Sequence, residues 1–268
     1  MLVVFNMLSA VGVIPARYGS SRLPGKPLAD LQGKPLLYHV YHRASRARTL
    51  ERVLIATDDE RIFTSARGFG ADVVMTRSDH RSGTDRIAEA VEKIPADVVV
   101  NIQGDEPLLE FAAIDEAVRL LADCDAEMST LKTPVEELED LWNPNVVKVV
   151  TDHRGYAVYF SRAPLPYPRT KEFPGLALRD LLRKKPELLR YYFRHVGLYA
   201  YRREFLMQFT RWDPSPLELL EDLEQLRAIE HGVRIAVGES NAGVMGIDTP
   251  EDLERIRRLV GSNPALLA

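Results

Sequence analysis

Short apolar runs alternate with longer amphipathic segments through the first half of the chain. The runs predict buried strands at residues 11–14, 53–56, 71–75 and 97–102. The segments between them place apolar residues at helical spacing, at residues 34–48, 59–69, 84–94 and 108–122. This alternation predicts βαβ units, that is, an α/β fold with a Rossmann-like, mostly parallel sheet flanked by helices. Such folds bind ligands at the carboxyl ends of their strands, so the polar residues that follow each strand are the informative ones.

The regular alternation stops between residues 126 and 200. Strands are predicted there at residues 127–132, 146–151, 156–161 and 194–201. The second and third of these flank Asp152-His153-Arg154-Gly155, which is typical of a hairpin turn. We therefore predict a single domain over residues 1–268 with a smaller antiparallel lobe, residues 126–200, embedded in it.

The last part of the chain returns to helices and strands. Ser215, Pro216 and Glu218 are typical of a helix start with a capping box, and this helix is expected to end at Gly232. A strand follows at residues 233–237. A C-terminal helix is expected from Pro250, capped by Thr249.

Composition and charge exclude several classes of protein. A chain of 268 residues with 46% hydrophobic residues can bury a sizeable core. A net charge of −4 argues against a nucleic-acid partner. The single cysteine, Cys124, excludes an internal disulfide and a zinc cluster. No apolar stretch is long enough for membrane insertion, and the apolar first ten residues lack the basic region of a signal peptide, so a cytoplasmic protein is expected.

The first predicted strand leads into the segment VIPARYGSSRLPGKP, residues 13–27. Its glycines and cations are Gly19, Gly25, Arg17, Arg22 and Lys26. Small residues let backbone N–H groups approach an anion that the cations neutralise, which predicts a triphosphate cradle. The segment is not a Walker A loop, because five residues separate its glycines and Pro27 follows Lys26. A solvated basic turn is the alternative.

Further candidates follow later strands. Ser82, Thr84 and Asp85 suit either a binding loop or a plain helix start. Asp105 follows a buried strand and a glycine, where a carboxylate is well placed to hold magnesium on a phosphate, although it also suits a helix start. Asp248 has no duty in the predicted cap of the C-terminal helix, which makes it a candidate second metal ligand.

The lobe and the helix after it hold further polar candidates. Arg162 follows a strand, and His195 and Tyr199 share a strand face because side chains alternate with period two. A lone strand histidine is more often a structural group. Glu224 and Gln225 flank the apolar stripe of their helix and, on spacing alone, belong to a solvated face.

The motifs together resemble a known family. The pattern IPAR-x-x-S-x-R-x-x-x-K-P is similar to the signature of sugar-nucleotide cytidylyltransferases, and its longer form, IPARYGSSRLPGKPL, to the branch that activates 3-deoxy-manno-octulosonate (Kdo). Other matching segments are S-G-T-D-R, N-I-Q-G-D-E-P, F-S-R-A, R-H-V-G-L-Y, S-P-L-E-x-x-E-x-L-E-Q-L-R and G-I-D-T-P-E-D-L-E. They are spread over nearly the whole chain.

This resemblance implies a nucleotidyltransferase fold and transfer of CMP from CTP to Kdo, with release of pyrophosphate, for lipopolysaccharide synthesis. It also implies Mg²⁺ as cofactor and a homodimer formed through the smaller lobe, which would supply sugar contacts. Three alternatives stay open. They are a cytidylyltransferase for another acid sugar (8-amino-Kdo or a sialic acid), an enzyme of this fold that uses another base, and a non-catalytic nucleotide sensor.

The resemblance also assigns roles to residues. Catalysis falls to Arg17, Lys26, Asp105 and Asp248, and the two aspartates are the implied metal ligands. The nucleotide-binding residues are Ala16, Arg17, Ser20, Lys26, Arg81, Ser82, Gly83, Gln103 and Asp105. The sugar-binding residues are Arg162, His195, Tyr199, Glu224 and Gln225.

Overall fold

The computed structural model describes residues 8–19, 22–169, 171–240 and 245–267. The strands are β1 (Ala10–Ala16), β2 (Asp30–Leu31), β3 (Lys34–Pro35), β4 (Arg52–Thr57), β5 (Asp72–Met75), β6 (Val98–Asn101), β7 (Met128–Pro134), β8 (Lys148–Thr151), β9 (Ala157–Ser161), β10 (Phe193–Arg202) and β11 (Ile235–Glu239). The α-helices are α1 (Leu36–Ala44), α2 (Glu60–Gly68), α3 (Gly83–Ala90), α4 (Phe111–Ala122), α5 (Leu178–Lys184), α6 (Arg203–Phe209), α7 (Pro216–Glu221), α8 (Gln225–Glu230) and α9 (Pro250–Ser262). In these ranges no helix is both long and apolar enough to cross a membrane.

One large sheet organises the chain. Its strand order is β11-β7-β10-β6-β1-β4-β5, and β8 and β9 extend it from β10. Neighbouring strands are parallel except around β10, which runs antiparallel to β6, β7 and β8, and within the β8–β9 pair. Strands β2 and β3 form a separate antiparallel pair. The predicted α/β class with a mostly parallel sheet and a smaller antiparallel part is confirmed.

Strand β1 lies in the middle of the sheet because its sequence is apolar on both faces. Val13 and Val99 belong to a core cluster on one face, while Ile14 and Val100 belong to the cluster on the other. Alternating side chains thus enter two cores, which is why the central strands read as continuous apolar runs. β4 and β6 flank β1 on opposite sides, so the strand order reverses beside β1 and opens a crevice at the carboxyl ends.

The predicted hairpin of the 126–200 segment is confirmed, since β8 and β9 pair antiparallel. β7 and β10 of the same segment lie in the large sheet. The remainder packs on a small core of its own, formed by Val135, Leu141, Leu182 and Tyr192. The assignment of this lobe to sugar contacts and dimerisation stays a prediction.

Two differences from the predicted helices affect the residues around the site. α4 begins at Phe111 rather than at residue 108. The helix expected to run from Pro216 to Gly232 breaks in two at Asp222, whose φ is 51°. The break is closed by a bond from the Leu223 N–H to the Glu218 carbonyl, which is a typical left-handed helix end.

Candidate active site

A cleft of about 350 Å³ opens at the carboxyl ends of β1 and β6. Eight of the predicted nucleotide-binding residues line it, namely Ala16, Arg17, Lys26, Arg81, Ser82, Gly83, Gln103 and Asp105. Asp248 lines it too. The ninth, Ser20, lies outside the described residues. The structure therefore brings these predicted nucleotide-binding and metal-binding residues together around one cleft. The predicted sugar-binding residues do not line it.

The loop after β1 is folded back on itself around Tyr18. The Gly25 N–H donates to the Tyr18 carbonyl at 3.0 Å, and Gly25 has a φ of 70°, a left-handed conformation that favours glycine. A Cβ at Gly25 would lie 3.1 Å from the Tyr18 ring. On the α2 side, the guanidinium carbon of Arg61 lies 3.3 Å from the centroid of that ring. This packing presents the adjacent Lys26 to the cleft.

Lys26 lies between the two predicted metal ligands. Its Nζ is 2.6 Å from Asp105 Oδ2 and 3.2 Å from Asp248 Oδ1. Arg22 approaches the other oxygen of Asp248, with Nη2 to Oδ2 at 3.2 Å. The two carboxylates come from distant parts of the sequence, and a backbone bond from the Ile247 N–H to the Asp105 carbonyl, 3.0 Å long, holds them side by side.

The helix-start alternative for Asp105 is wrong, and the absence of Asp248 from the cap of α9 is confirmed. α4 starts at Phe111 and is preceded by Glu110, so Asp105 is not in its first turn. At α9 the capping box consists of Thr249 and Asp252, as predicted, and the Asp248 carboxylate takes no part in it. Both carboxylates are therefore available to the cleft.

Asp105 and Asp248 fit a Mg²⁺ site. They supply two carboxylates that converge in the wall of the cleft. Mg²⁺ is commonly held by one or two carboxylates, with substrate phosphates and water completing its six ligands. The described part of the chain contains no group of three or more His, Cys, Asp or Glu side chains that could hold a metal by themselves.

The start of α3 is a capped helix start that also lines the cleft. Asp85 N–H donates to Ser82 Oγ at 3.1 Å and Ser82 N–H to Asp85 Oδ2 at 3.2 Å, which form a capping box and confirm the predicted helix start. Ser82 and Gly83 nevertheless line the cleft. A Cβ at Gly83 would lie 3.4 Å from Pro15 Cγ, so the small residue lets α3 approach the end of β1 closely. A cap residue and a cleft residue are not exclusive here.

The sequence interpretation missed a buried cation in the cleft wall. Arg86 is 5% exposed and lines the cleft. Its guanidinium pairs with Asp58 Oδ2 at 3.0 Å and donates to Thr76 Oγ1 at 2.5 Å, which ties α3 to the ends of β4 and β5. The sequence offered one signal for this residue. Arg86 lies three residues after Gly83, which is about one helical turn, so both residues lie on the same face of the helix.

Glu106 was also missed as a buried acid behind Asp105. Burial first, and then the charge of Asp105, raise the pKa of Glu106 to about 8, while Arg194 acts in the opposite direction. His80 lines the cleft as well, and its ring is hydrogen-bonded to the Glu89 carboxylate. No periodic pattern marks Glu106, because its carboxylate packs against Gly197 of β10, far away in sequence.

His195 and Tyr199 share a face of β10, as the alternation predicts. Their ring centroids are 5.2 Å apart, even though the register against β7 shifts between Val196 and Tyr199. His195 Nε2 lies 2.8 Å from Thr130 Oγ1, and burial lowers the pKa of His195 to about 3. Burial also raises the pKa of Tyr199 well above its ordinary value. The imidazole is therefore neutral at physiological pH.

The neutral imidazole predicts a loss of stability in acid. The pKa of His195 is lowered on folding, from 6.5 to about 3, so its contribution is complete above pH 6.5 and is lost as the pH falls toward 3. Between pH 7 and pH 5 the chain should lose about 2 kcal/mol that a His195→Asn variant does not lose. Urea unfolding of both proteins at the two pH values measures this difference. An equal loss in both proteins would contradict the assignment.

Glu224 and Gln225 begin α8 and face inward rather than toward solvent. Gln225 is 5% exposed, and burial raises the pKa of Glu224. The Glu224 carboxylate accepts a hydrogen bond from Thr84 of α3 and lies 3.7 Å from Arg227 Nη2. The solvated-face interpretation is wrong, because the helix break at Asp222 turns these residues inward.

Arg162 anchors the same break from the β9 side. Its Nε donates to the Glu221 carbonyl at 2.5 Å, Nη1 to the Pro144 carbonyl at 2.7 Å and Nη2 to the Asp222 carbonyl at 3.0 Å. Its own backbone N–H donates to Glu221 Oε2 at 2.8 Å. The guanidinium thus fixes the turn that leads into Glu224, and its role toward a sugar stays a prediction.

Comparison with known proteins places these features in a family. The sequence pattern of the family described as "Cytidylyltransferase" matches residues 11–235. The 3-deoxy-manno-octulosonate cytidylyltransferase of Geobacter sulfurreducens is 52% identical over 250 residues, 93% of this chain and 98% of the relative. The protein of the same name from Pseudomonas fluorescens is 50% identical over 258 residues, 93% of this chain and 97% of the relative.

Solved structures agree. A CMP:2-keto-3-deoxy-manno-octonic acid synthetase complexed with CTP is 41% identical and has a TM-score of 0.84, over 95% of this chain and 99% of that one. A cytidylyltransferase of Leptospira borgpetersenii is 16% identical with a TM-score of 0.58, over 97% of each chain, which shows the shared fold alone. With its motifs gathered around one cleft and relatives matching it over nearly its full length, this chain belongs to the cytidylyltransferase family.

Proposed function

We propose that this chain transfers CMP from CTP to Kdo and releases pyrophosphate. The observation that carries the proposal is the cleft in which Lys26 lies between Asp105 and Asp248, lined by the residues of the phosphate loop and of the α3 start. Relatives about half identical over 93% of the chain carry the name of this activity, and a solved relative is complexed with CTP. The product would serve lipopolysaccharide synthesis.

The reaction is a direct displacement at phosphorus. The anomeric hydroxyl of Kdo attacks the α-phosphorus of CTP, and pyrophosphate leaves in line from the opposite side. Negative charge grows on the non-bridging and leaving oxygens, so catalysis depends on positioning and on cations. Arg17, Arg22 and Lys26 surround the place where the phosphates would lie and neutralise this charge. No covalent intermediate on the protein is needed.

Magnesium is part of the proposal. Asp105 and Asp248 would hold it, since they are the convergent carboxylates of the cleft. When bound, the ion supplies Lewis-acid polarisation of phosphoryl oxygens. Lys26 contacts both carboxylates in the free protein and limits their mutual repulsion.

The sugar side of the site is assigned to Arg162, His195, Tyr199, Glu224 and Gln225. Three of these are joined to the cleft wall or to one another by contacts already described. Glu224 is bonded to Thr84, next to the cleft residue Gly83, and His195 packs on Tyr199. A sugar acid has hydroxyls and a carboxylate, which suit amide, phenol and guanidinium donors.

A homodimer and a cytoplasmic location complete the proposal. Three large apolar side chains are exposed on β9 and α7, with Val158 at 55%, Leu219 at 71% and Leu220 at 80%. Among the described strands β9 pairs with β8 alone, so its other edge is open to a second copy. Sedimentation of the purified chain measures the assembly. The location follows from the need for CTP.

The reaction is tested by pyrophosphate release. Purified protein with Mg²⁺, CTP and Kdo should release pyrophosphate, UTP should be a much poorer donor, and ATP should give none. Each of the four nucleoside triphosphates is assayed with and without Kdo. Release that is independent of the sugar acid would contradict the proposal. Faster pyrophosphate release with 8-amino-Kdo or a sialic acid would make that sugar the acceptor, while the reaction would still be CMP transfer from CTP.

A further inference from the structure

Thr84 joins the nucleotide side of the site to the sugar side. It is the second residue of α3 and is 2% exposed, directly after the cleft residues Ser82 and Gly83. Its Oγ1 donates a hydrogen bond to the carboxylate of Glu224, at the start of α8. One buried hydroxyl therefore connects the wall of the nucleotide cleft to the turn that carries Glu224 and Gln225.

Glu224 depends on this hydroxyl because its other partners are weak or already engaged. Arg227 is 3.7 Å away, and its guanidinium is bonded to Glu218, with Nε to Oε2 at 2.7 Å. The Ser82 side chain is the other hydrogen-bonding neighbour, and it belongs to the same helix start as Thr84. Both short-range donors to Glu224 thus come from the nucleotide side, which makes the turn sensitive to the position of α3.

Thr84 also contacts β10, the strand of His195 and Tyr199. The hydroxyl of Tyr201, a residue that is 2% exposed, interacts with the side chains of Thr84 and Asn101. The rings of Tyr201 and Tyr199 have centroids 6.0 Å apart. Thr84 is therefore at the meeting point of α3, α8 and β10, which carry residues of both substrate sets.

We propose that Thr84 is a positioning residue that couples CTP binding at the α3 start to the order of the sugar-binding turn, residues 221–225. A nucleotide that fixes Ser82 and Gly83 also fixes Thr84, and the bond to Glu224 then holds the turn in one place. By linkage, a ligand on the turn must strengthen CTP binding by the same factor. The inference rests on the proposed function where it assigns Glu224 and Gln225 to the sugar.

Hydrogen exchange of the full chain with CTP as the only ligand tests the coupling. CTP should slow amide exchange in a peptide covering residues 221–230 in the wild-type protein. Thr84→Val keeps the shape but lacks the hydroxyl, and it should lose this slowing while peptides of the phosphate loop keep theirs. Thr84→Ser is the matched control and should retain it. Equal slowing in wild type and Thr84→Val, or none in wild type, would overturn the coupling.

Kinetics supply a second readout, and a second variant covers a folding failure. Thr84→Val should raise the KM for Kdo at saturating CTP about tenfold, as expected for a buried carboxylate that loses its donor, and leave the Kd of CTP measured without Kdo nearly unchanged. Glu224→Ala removes the acceptor instead and must abolish the same CTP-dependent slowing. Weaker binding of CTP alone, together with a lower Tm, would show a merely structural role. If CTP slows exchange in residues 221–230 of the wild-type protein but the protein shows no Kdo-dependent turnover, the proposed function is wrong while the coupling is still supported.

Discussion

Asp105→Asn and Asp248→Asn should each lower turnover by about a hundredfold to a thousandfold. Either change removes a charge that stabilises the transition state by several kcal/mol, and each 1.36 kcal/mol is about a factor of ten in rate. The fold should survive, because an amide is isosteric with the carboxylate and the two residues are part-exposed, at 27% and 46% of their side chains. Turnover of CTP and Kdo at saturating Mg²⁺ measures the effect.

A matched control separates the metal role from general charge. Glu251→Gln removes one negative charge three residues after Asp248, in the first turn of α9 and exposed to solvent, and should be close to wild type. A Mg²⁺ titration adds a second signature, since the two asparagine variants should need more Mg²⁺ for half-maximal rate. If Asp248→Asn keeps near wild-type turnover, Asp248 is not a metal ligand and serves only as an ion-pair partner of Arg22 and Lys26.

Some parts of this fold can be predicted from the sequence. They are the parts in which the local pattern of apolar residues matches the burial of the element in the structure. β1, β4 and β6 are apolar on both faces, so a continuous run in sequence is a central strand in space. Ligand sites follow such strands for a topological reason, which is why the position of Arg17 and Asp105 at the cleft could be predicted from the sequence. The capping box at Thr249 is equally local and could be predicted in the same way.

The parts that do not follow depend on partners distant in sequence. The stretch from Pro216 to Gly232 has no internal glycine or proline to mark the break at Asp222. What stabilises the break is the buried pair of Glu218 and Arg227, together with the three carbonyl contacts of Arg162. Leu220 lies at helical spacing with Leu223 and Leu226, yet for the same reason it is 80% exposed. The ion pair of Glu218 with Arg227 and the hydrogen bonds of Arg162 thus overrule helical periodicity at this turn.

Arg162→Ala should have the second large effect, and the structure sharpens the reason. The guanidinium binds the carbonyls of Glu221 and Asp222, so its loss frees the turn before Glu224 and Gln225 as well as removing a cation. A freed turn misplaces the sugar, and a misplaced nucleophile loses its in-line angle. We expect kcat/KM for Kdo to fall about a hundredfold, a loss of ~2.7 kcal/mol, with both KM and kcat affected.

Lysine at the same position distinguishes charge from geometry. Arg162→Lys keeps the positive charge but cannot reach three carbonyls with a planar fork, so it should resemble Arg162→Ala if anchoring the turn is the main role. If the cation instead meets the sugar carboxylate, Arg162→Lys should recover much of the KM for Kdo. Calorimetric titration of CTP should give wild-type affinity in both variants, because Arg17 and Lys26 line the cleft proposed for the phosphates whereas Arg162 does not. If these variants lose CTP binding but keep the KM for Kdo, Arg162 is a nucleotide-binding residue. The sugar-binding residues then lack the cation proposed for them.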